Sequence, residues 1–230
     1  MGKIRKIFFN IYKIFFHSAN LEGNGERVDI ILKQYVDFDK LDMYQKSHYC
    51  RYEFAKKYIT QNSVCGDFAC GTGYGSIMLA NKAKKVVGAD INLKVINEVK
   101  KRYMMVKNVE FIHSDLLDLS YESVFDTIVS FETIEHFAEN DIIKLLQIYH
   151  KALKSQGKII FSTPYIQEQS VNARKLGFHL TFHINEEKIT QWLSRANFTV
   201  ESFKYQNYKT HLIQEVLEPK DFIIGIAQKN

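Results

Sequence analysis

From about residue 63 onward, short apolar runs alternate with longer segments whose apolar residues recur at helical spacing. The apolar runs have the length of buried strands, and the segments between them are long enough for crossover helices. This βαβ rhythm predicts a parallel sheet with helices on both faces. The predicted strands are 63–67, 85–89, 109–112, 125–131 and 158–162, and the predicted helices lie near 75–83, 92–105 and 139–154.

Two further strand-like runs close the chain, Phe198–Tyr205 and Asp221–Ala227. No full crossover helix separates them, so we expect them to pair antiparallel at one edge of the sheet. The predicted fold is therefore α/β, a doubly wound, mostly parallel seven-stranded sheet with an antiparallel edge strand. The long connection from Pro164 to about Ile184 has no clean period, and we expect it to shape a ligand pocket over the carboxyl ends of the strands.

The first 59 residues precede this alternating pattern and divide into two segments. Residues 1–20 contain lysine and arginine but no acidic residue, and their isoleucines and phenylalanines recur at helical spacing. This pattern predicts a basic amphipathic helix, followed by a polar linker at 18–27 and further helix over 28–59. We therefore divide the chain into an N-terminal helix (1–20), a helical cap segment (21–59) and a main domain (60–230).

The N-terminal helix has two interpretations. No run of about 18 apolar residues is present, so no segment is predicted to span a membrane. Lysines interrupt the apolar run, which argues against a signal peptide. A basic amphipathic helix can lie on an anionic membrane surface, which predicts peripheral contact with the inner membrane. Alternatively it packs on this domain or forms a homodimer contact, and packing is the interpretation we favour.

Composition and charge are those of one globular domain. The 230 residues are 46% hydrophobic and 25% charged, which suits a single core. The net charge of +5 fits anionic substrates without requiring nucleic acid. The three cysteines show no CxxC spacing, which indicates reduced thiols and predicts a cytoplasmic location.

A glycine-rich turn after the first predicted strand carries the strongest chemical signal. Residues 64–75 read VCGDFACGTGYG, so Asp67 precedes glycines at alternate positions. Such a turn brings bare main chain against a ligand at the start of a helix. A dinucleotide fingerprint would read G-x-G-x-x-G, and Asp67 would repel a pyrophosphate, so a cationic or zwitterionic ligand is favoured. Asp90 ends the next predicted strand and is placed to accept hydrogen bonds from a ribose diol.

This turn and the later motifs, over roughly residues 44–228, resemble the class I S-adenosylmethionine (SAM) dependent methyltransferases. The resemblance implies a Rossmann-like fold and SAM as cofactor. It places the glycines and Asp67 at the methionine part, Asp90 at the ribose, Ile91 against the adenine, and Asp115 at the adenine amino group. The residues implied in cofactor binding are Asp67, Ala69, Gly71, Gly73, Asp90, Ile91, Asp115, Leu116 and Glu132.

The turn after the strand at 125–131 carries two carboxylates and an imidazole, Glu132, Glu135 and His136. If the turn is helical, these side chains share one face. They could form half of a divalent cation site. Alternatively, Glu135 could orient His136 as a general base.

The same E-x-x-E-H turn resembles that of a subgroup of class I O-methyltransferases, in which a later histidine completes a metal site. The resemblance implies Glu132, Glu135, His136 and His179 as ligands of Mg²⁺ or Mn²⁺. His183 remains an alternative to His179 and a candidate catalytic residue beside His136 and Glu135. Asn185 is predicted to cap the helix that follows.

The resemblance leaves several acceptors open. The E-T-I-E-H turn followed by Ser162-Thr163-Pro164 is similar to enzymes that methylate bacterial capsule or lipopolysaccharide sugars, which implies a nucleotide-activated sugar or glycan as the small-molecule partner. Quinone-ring O-methylation and RNA 2′-O-methylation share the turn. The modest charge makes a nucleic-acid partner unlikely. A non-catalytic SAM-binding protein is a further alternative.

Overall fold

A computed structural model describes residues 27–32, 36–168 and 179–230. The predicted N-terminal helix at 1–20 therefore lies outside the described residues, as does the middle of the long connection after Pro164.

The described chain is built on one seven-stranded sheet with the order β3-β2-β1-β4-β5-β7-β6. Its first five strands in sequence run parallel, and β7 runs antiparallel to both β5 and β6. The strands are β1 (Val64–Phe68), β2 (Lys85–Asp90), β3 (Val109–His113), β4 (Phe125–Phe131), β5 (Leu153–Pro164), β6 (Phe198–Gln206) and β7 (Phe222–Lys229).

Five α-helices accompany the sheet in the described residues. Polar side chains cap three of them: Asp42 accepts from the backbone N–H of Gln45, and Asn92 and Asn185 cap their helices in the same way. The cap predicted at Asn185 is thereby confirmed. The helices are α1 (Met43–Ala55), α2 (Tyr74–Ala80), α3 (Leu93–Arg102), α4 (Glu139–Ala152) and α5 (Glu186–Arg195).

The predicted fold class is confirmed. The antiparallel strand, β7, lies one place in from the edge, between β5 and β6. Apolar side chains fill both sides of the sheet. Tyr149 and Trp192, from α4 and α5, belong to one buried cluster, whereas Tyr52 and Leu79, from α1 and α2, belong to another.

The prediction of helix over 28–59 is wrong for its first part. Residues 28–32 are irregular, and the α-helix begins only after Asp42. The physical reason is the capping box in which Asp42 and Gln45 satisfy each other's backbone N–H groups, because such a box defines a helix start.

Strand order determines where a ligand can bind. From β1 the chain moves outward to β2 and β3, and then returns to place β4 on the other side of β1. The connections after β1 and β4 therefore leave the sheet in opposite directions, which opens a crevice at the carboxyl ends of these strands.

The helix α1 is held over this crevice by close packing on α2. A Cβ atom built on Gly75 would lie 1.9 Å from the Tyr52 ring, so only glycine permits this approach. The Tyr52 ring also packs edge-on against Phe131 at the end of β4, at 5.0 Å between centroids. The cap segment is thereby fixed to both sides of the crevice.

None of the described helices combines the length and the apolar character that crossing a membrane requires.

Replacing Gly75 with alanine should lower the free energy of unfolding by about 1–3 kcal/mol, because the added methyl group overlaps the Tyr52 ring. Urea unfolding of the variant measures the loss. The double variant Gly75→Ala/Tyr52→Ala is the control, since it removes the overlapping ring. If Gly75→Ala lowers the free energy of unfolding equally in the wild-type and the Tyr52→Ala backgrounds, Tyr52 does not pack on Gly75 as assigned.

Candidate functional site

A cavity of about 470 Å³ opens at the carboxyl ends of β1, β2 and β4 and beside the turn after β3. Eight residues predicted from the sequence are among those that line it. They are Ala69, Gly71, Asp90, Ile91, Asp115, Leu116, Glu132 and His136. The other described residues of its wall include Arg27, Val28, His48, Tyr52, Cys70, Thr72, Tyr74, Phe131, Thr133 and Phe137.

The glycine turn brings main chain to the cavity wall. Gly71 and Gly73 have φ angles of 50° and 77°, and Ala69 before them is also left-handed at 65°. Gly73 caps the start of α2 and is not part of the wall. The N–H of Gly71 donates to Asp90 Oδ2 at 3.0 Å, so the turn and the end of β2 form one unit.

Asp90 is almost completely buried and accepts hydrogen bonds on both carboxylate oxygens. Besides Gly71, the N–H of Asn92 donates to Oδ1 at 2.9 Å. The guanidinium of Arg27 contacts the same oxygen at 3.3 Å. The predicted ribose-binding carboxylate therefore lies at the cavity, with a cation of the cap segment beside it.

Asp67 lies beneath the wall rather than in it. It is buried, and its two oxygens accept from Tyr52 Oη at 3.1 Å and from Ser76 Oγ at 2.6 Å. Burial raises the pKa of Asp67 to about 6, against the two hydrogen bonds that favour the charged form. The wall residue at this point is Tyr52, which connects Asp67 to the cavity.

The expected adenine end of the cavity combines an apolar and a polar wall. Ile91 is 62% exposed despite its apolar side chain, and buried Leu116 lies in the turn after β3. Asp115 uses Oδ1 to accept from the N–H of Leu117 at 2.9 Å, which orients the carboxyl group.

Glu132 does not share a helical face with the other two residues of the E-x-x-E-H turn, so that expectation is wrong. Its φ angle is 48°, and helical geometry begins only with the 3₁₀ turn Ile134–His136. Its Oε1 accepts from Ser162 Oγ at 2.6 Å and lies 3.2 Å from the guanidinium of Arg51. Among the described residues, Glu132 is outside the cluster that could hold a metal ion.

That cluster consists of Glu135, His136 and His179, whose ligand atoms all lie within 4.8 Å of one another. Backbone hydrogen bonds bring the distant histidine to the turn, because the carbonyl of Glu135 accepts from the N–H groups of Leu180 and Thr181 at 2.8 and 3.1 Å. The rings of His136 and His179 meet edge to face at 4.9 Å, and Gln167 contacts His179 Nδ1 at 2.7 Å.

The structure distinguishes His179 from His183. In the described part of the chain, His183 belongs neither to the cluster nor to the cavity wall. Its φ angle is 54° and its N–H donates to the carbonyl of Gln167 at 3.1 Å, so the backbone bends at His183 itself.

The donor set fits a divalent cation. Glu135 is buried, and neither of its carboxylate oxygens has a hydrogen-bond partner among the described residues. Burial and the nearby charge of Glu132 raise the pKa of Glu135 well above its ordinary value, and a bound cation would stabilise its charged form. Burial, aided by His136, lowers the pKa of His179 to about 4, which keeps its imidazole neutral as a metal ligand must be.

The cap segment contributes residues to the cavity wall that the sequence did not predict. Tyr52 and Arg27 line the cavity, although Arg27 belongs to the predicted polar linker and no pattern singles it out. From the helix α1, His48 also lines the cavity, Arg51 is completely buried, and Tyr44 is half exposed and packs on Tyr208.

Comparisons with known proteins identify relatives of this chain. Residues 66–157 match the family model described as a methyltransferase domain. A probable S-adenosylmethionine-dependent methyltransferase of Mycolicibacterium smegmatis is 29% identical over 134 residues, 57% of this chain and 50% of its own length. An uncharacterized RNA methyltransferase of Mycoplasma mobile is 32% identical over 128 residues, 54% of this chain and 34% of its own. The chain thus spans half or less of these two relatives.

The fold has solved counterparts. The N-methyltransferase NodS from Bradyrhizobium japonicum superposes with a TM-score of 0.63 at 17% identity, covering 83% of this chain and 98% of that one. The chain is thus similar to methyltransferases in its matched domain, in its curated relatives and in its fold.

Replacing Asp67 with asparagine should remove a pH-dependent part of the stability. Because the native pKa of Asp67 is raised, the native state holds this proton more tightly than the unfolded chain. Its contribution is therefore fully present below about pH 4 and is lost as the pH rises through about 6. Relative to the variant, the wild-type protein should lose up to about 3 kcal/mol of unfolding free energy between these pH values.

Urea unfolding of both proteins at each pH measures this difference. Other buried acids such as Glu135 are common to both proteins and cancel in the comparison. Parallel pH profiles for the two proteins would contradict the raised pKa of Asp67.

Proposed function

We propose that this protein is a SAM-dependent O-methyltransferase that acts on a small polar acceptor, a sugar hydroxyl of bacterial capsule or lipopolysaccharide biosynthesis. The observation that carries the proposal is the position of the Glu135, His136 and His179 cluster. Its member His136 lines the same cavity as the cofactor-site residues Gly71 and Asp90.

The cofactor part of the proposal is supported by three features of one cavity. The glycine turn supplies bare main chain, Asp90 supplies a buried carboxylate for a diol, and Ile91 supplies an exposed apolar face. A sulfonium cation is compatible with the carboxylates of Asp90, Asp115 and Glu132 in the wall, whereas a pyrophosphate is not.

The acceptor part rests on the residues after β4. In methyl transfer the acceptor oxygen attacks the methyl carbon while the carbon–sulfur bond breaks, and S-adenosylhomocysteine leaves as a neutral thioether. The hydroxyl proton must pass to a base, because an alkyl hydroxyl has a pKa far above 7. His136 and His48 line the cavity and offer imidazoles for this proton. Alignment of the oxygen with the methyl group supplies most of the remaining rate.

The residues that would hold a divalent cation are Glu135, His136 and His179. A bound cation would lower the pKa of an acceptor hydroxyl and so assist its deprotonation. With two imidazoles and one carboxylate, the donor set suits Mn²⁺ better than Mg²⁺, which prefers oxygen ligands.

A hydroxyl-rich acceptor suits the polar wall after β4, where Glu132, Thr133 and His136 offer hydrogen-bonding groups. A quinone ring would demand a more apolar wall.

The relative from Mycoplasma mobile, an RNA methyltransferase by its description, favours RNA 2′-O-methylation as the second candidate. Cofactor binding without turnover would identify a non-catalytic SAM-binding protein.

Replacing Asp90 with alanine should weaken SAM binding more than about tenfold, because two hydrogen bonds from the ribose diol to a carboxylate would be lost. Isothermal titration with SAM measures the affinity. Asp118→Ala is the matched control, because Asp118 is exposed and outside the cavity wall. Unchanged affinity in the Asp90 variant would exclude the ribose assignment.

Methyl transfer to nucleotide-activated sugars, short RNAs and quinols, with Mn²⁺ or with EDTA, tests the acceptor and the metal together. We expect turnover on a sugar that EDTA abolishes. Glu135→Gln, His136→Ala and His179→Ala should each reduce turnover at least about tenfold while leaving SAM affinity nearly unchanged. His183→Ala is the control and should retain most activity, since His183 lies outside the cluster.

Other outcomes of this assay are equally informative. Turnover that is unaffected by EDTA would support the methyltransferase activity. It would also indicate that a base centred on His136, rather than a metal ion, deprotonates the acceptor. Activity on RNA alone would establish the second candidate.

A further inference from the structure

The cap segment brings a short stretch, residues 27–32, to the cofactor cavity, whose wall includes Arg27 and Val28. We call this stretch the strap. Several contacts of different kinds anchor it. Ile30 is completely buried, and the carboxylate of Asp29 accepts two hydrogen bonds from Arg102 at 2.8 and 3.0 Å. The carbonyl of Val28 accepts from Thr72 Oγ1 at 3.1 Å, within the glycine turn itself.

These anchors hold Arg27 at the cavity wall, where its guanidinium contacts Asp90 Oδ1 at 3.3 Å. The side chain of Arg27 is 21% exposed and that of Asp90 is 7% exposed. The ion pair is thus shielded from water on the carboxylate side and open on the guanidinium side.

The acceptor capacity of Asp90 sets a limit on what can bind there. A carboxylate has about four lone-pair positions, two on each oxygen. The N–H of Gly71 uses one on Oδ2, and on Oδ1 the N–H of Asn92 and the guanidinium of Arg27 use both. A ribose diol that donates one hydrogen bond to each oxygen therefore finds room on Oδ2 and none on Oδ1.

We propose that Arg27 is a competitive latch on the cofactor site: it occupies the carboxylate position that a ribonucleoside diol requires, and it must leave Asp90 before the diol can bind both oxygens. The proposal rests on the proposed function, because it takes Asp90 as the ribose-binding residue. The fixed charge of Arg27 then lowers the affinity of the site for an adenosine-containing ligand, and the anchored strap returns the guanidinium when the ligand leaves.

The test is isothermal titration of the full chain with S-adenosylhomocysteine, which carries no net charge at neutral pH. Arg27→Ala should tighten binding about two- to fivefold, the range that a partly exposed ion pair supports. Lys94→Ala is the matched control, because it removes an exposed positive charge near the same strand end without contacting Asp90, and it should leave the affinity unchanged. Thermal melting of each variant checks that it is folded.

Salt gives a second readout. The difference between wild type and Arg27→Ala should shrink between about 0.05 M and about 1 M NaCl, because salt screens the side of the pair that faces water. Equal or weaker binding by Arg27→Ala, or equal tightening by Lys94→Ala, would overturn the latch.

The same titration separates this proposal from the proposed function. If Asp90→Ala loses affinity while Arg27→Ala does not gain it, the latch alone is wrong. If the wild-type protein binds no S-adenosylhomocysteine, or if Asp90→Ala binds it equally well, the cofactor assignment fails and the latch fails with it.

Discussion

The contact between Tyr52 and Gly75 is the constraint on which the site depends. The missing side chain of Gly75 lets the Tyr52 ring lie directly on α2, and the ring's hydroxyl then reaches the buried Asp67 beneath the glycine turn. A helix that precedes the sheet in sequence thereby becomes part of the cavity wall. Loss of this close approach would separate the cap segment from the sheet and open the cavity on that side.

A buried ion pair adds a second connection from α1 to the sheet. The Arg51 side chain is completely buried, and its guanidinium lies 4.0 Å from the Phe222 ring centre. Its Nε donates to Gln206 Oε1 at 2.7 Å, and its Nη1 lies 3.2 Å from Glu132 Oε1. Removing one member would leave a buried charge without compensation, which is far more costly than the pair's own net stabilisation. Among the described residues, Glu132, which contacts Arg51 and Ser162, is not a member of the cluster formed by Glu135, His136 and His179.

The fold alone does not specify the chemistry, since one scaffold supports many reactions. What distinguishes this chain is the juxtaposition of a cofactor-type cavity with buried Glu135 and two imidazoles. Burial disfavours the charged form of Glu135, and a bound cation would compensate that charge. The backbone hydrogen bonds from Leu180 and Thr181 to the carbonyl of Glu135 bring His179 to the turn that carries Glu135 and His136.

The sequence by itself determined the positions of the strands, the glycine turn and the place of Asp90 at the end of a strand, because these depend on local periodicity and on parallel strands ending at one edge. The role of Asp115 came from the resemblance to a known family. Tertiary structure decided the rest. The left-handed backbone at Glu132 accompanies the contact of its side chain with Arg51, and the hydrogen bonds from Leu180 and Thr181 to Glu135 bring His179, and not His183, to the cluster. Arg27 reached Asp90 only because the strap is anchored elsewhere. Contacts between residues far apart in sequence leave no periodic signal, so no local pattern could have revealed them.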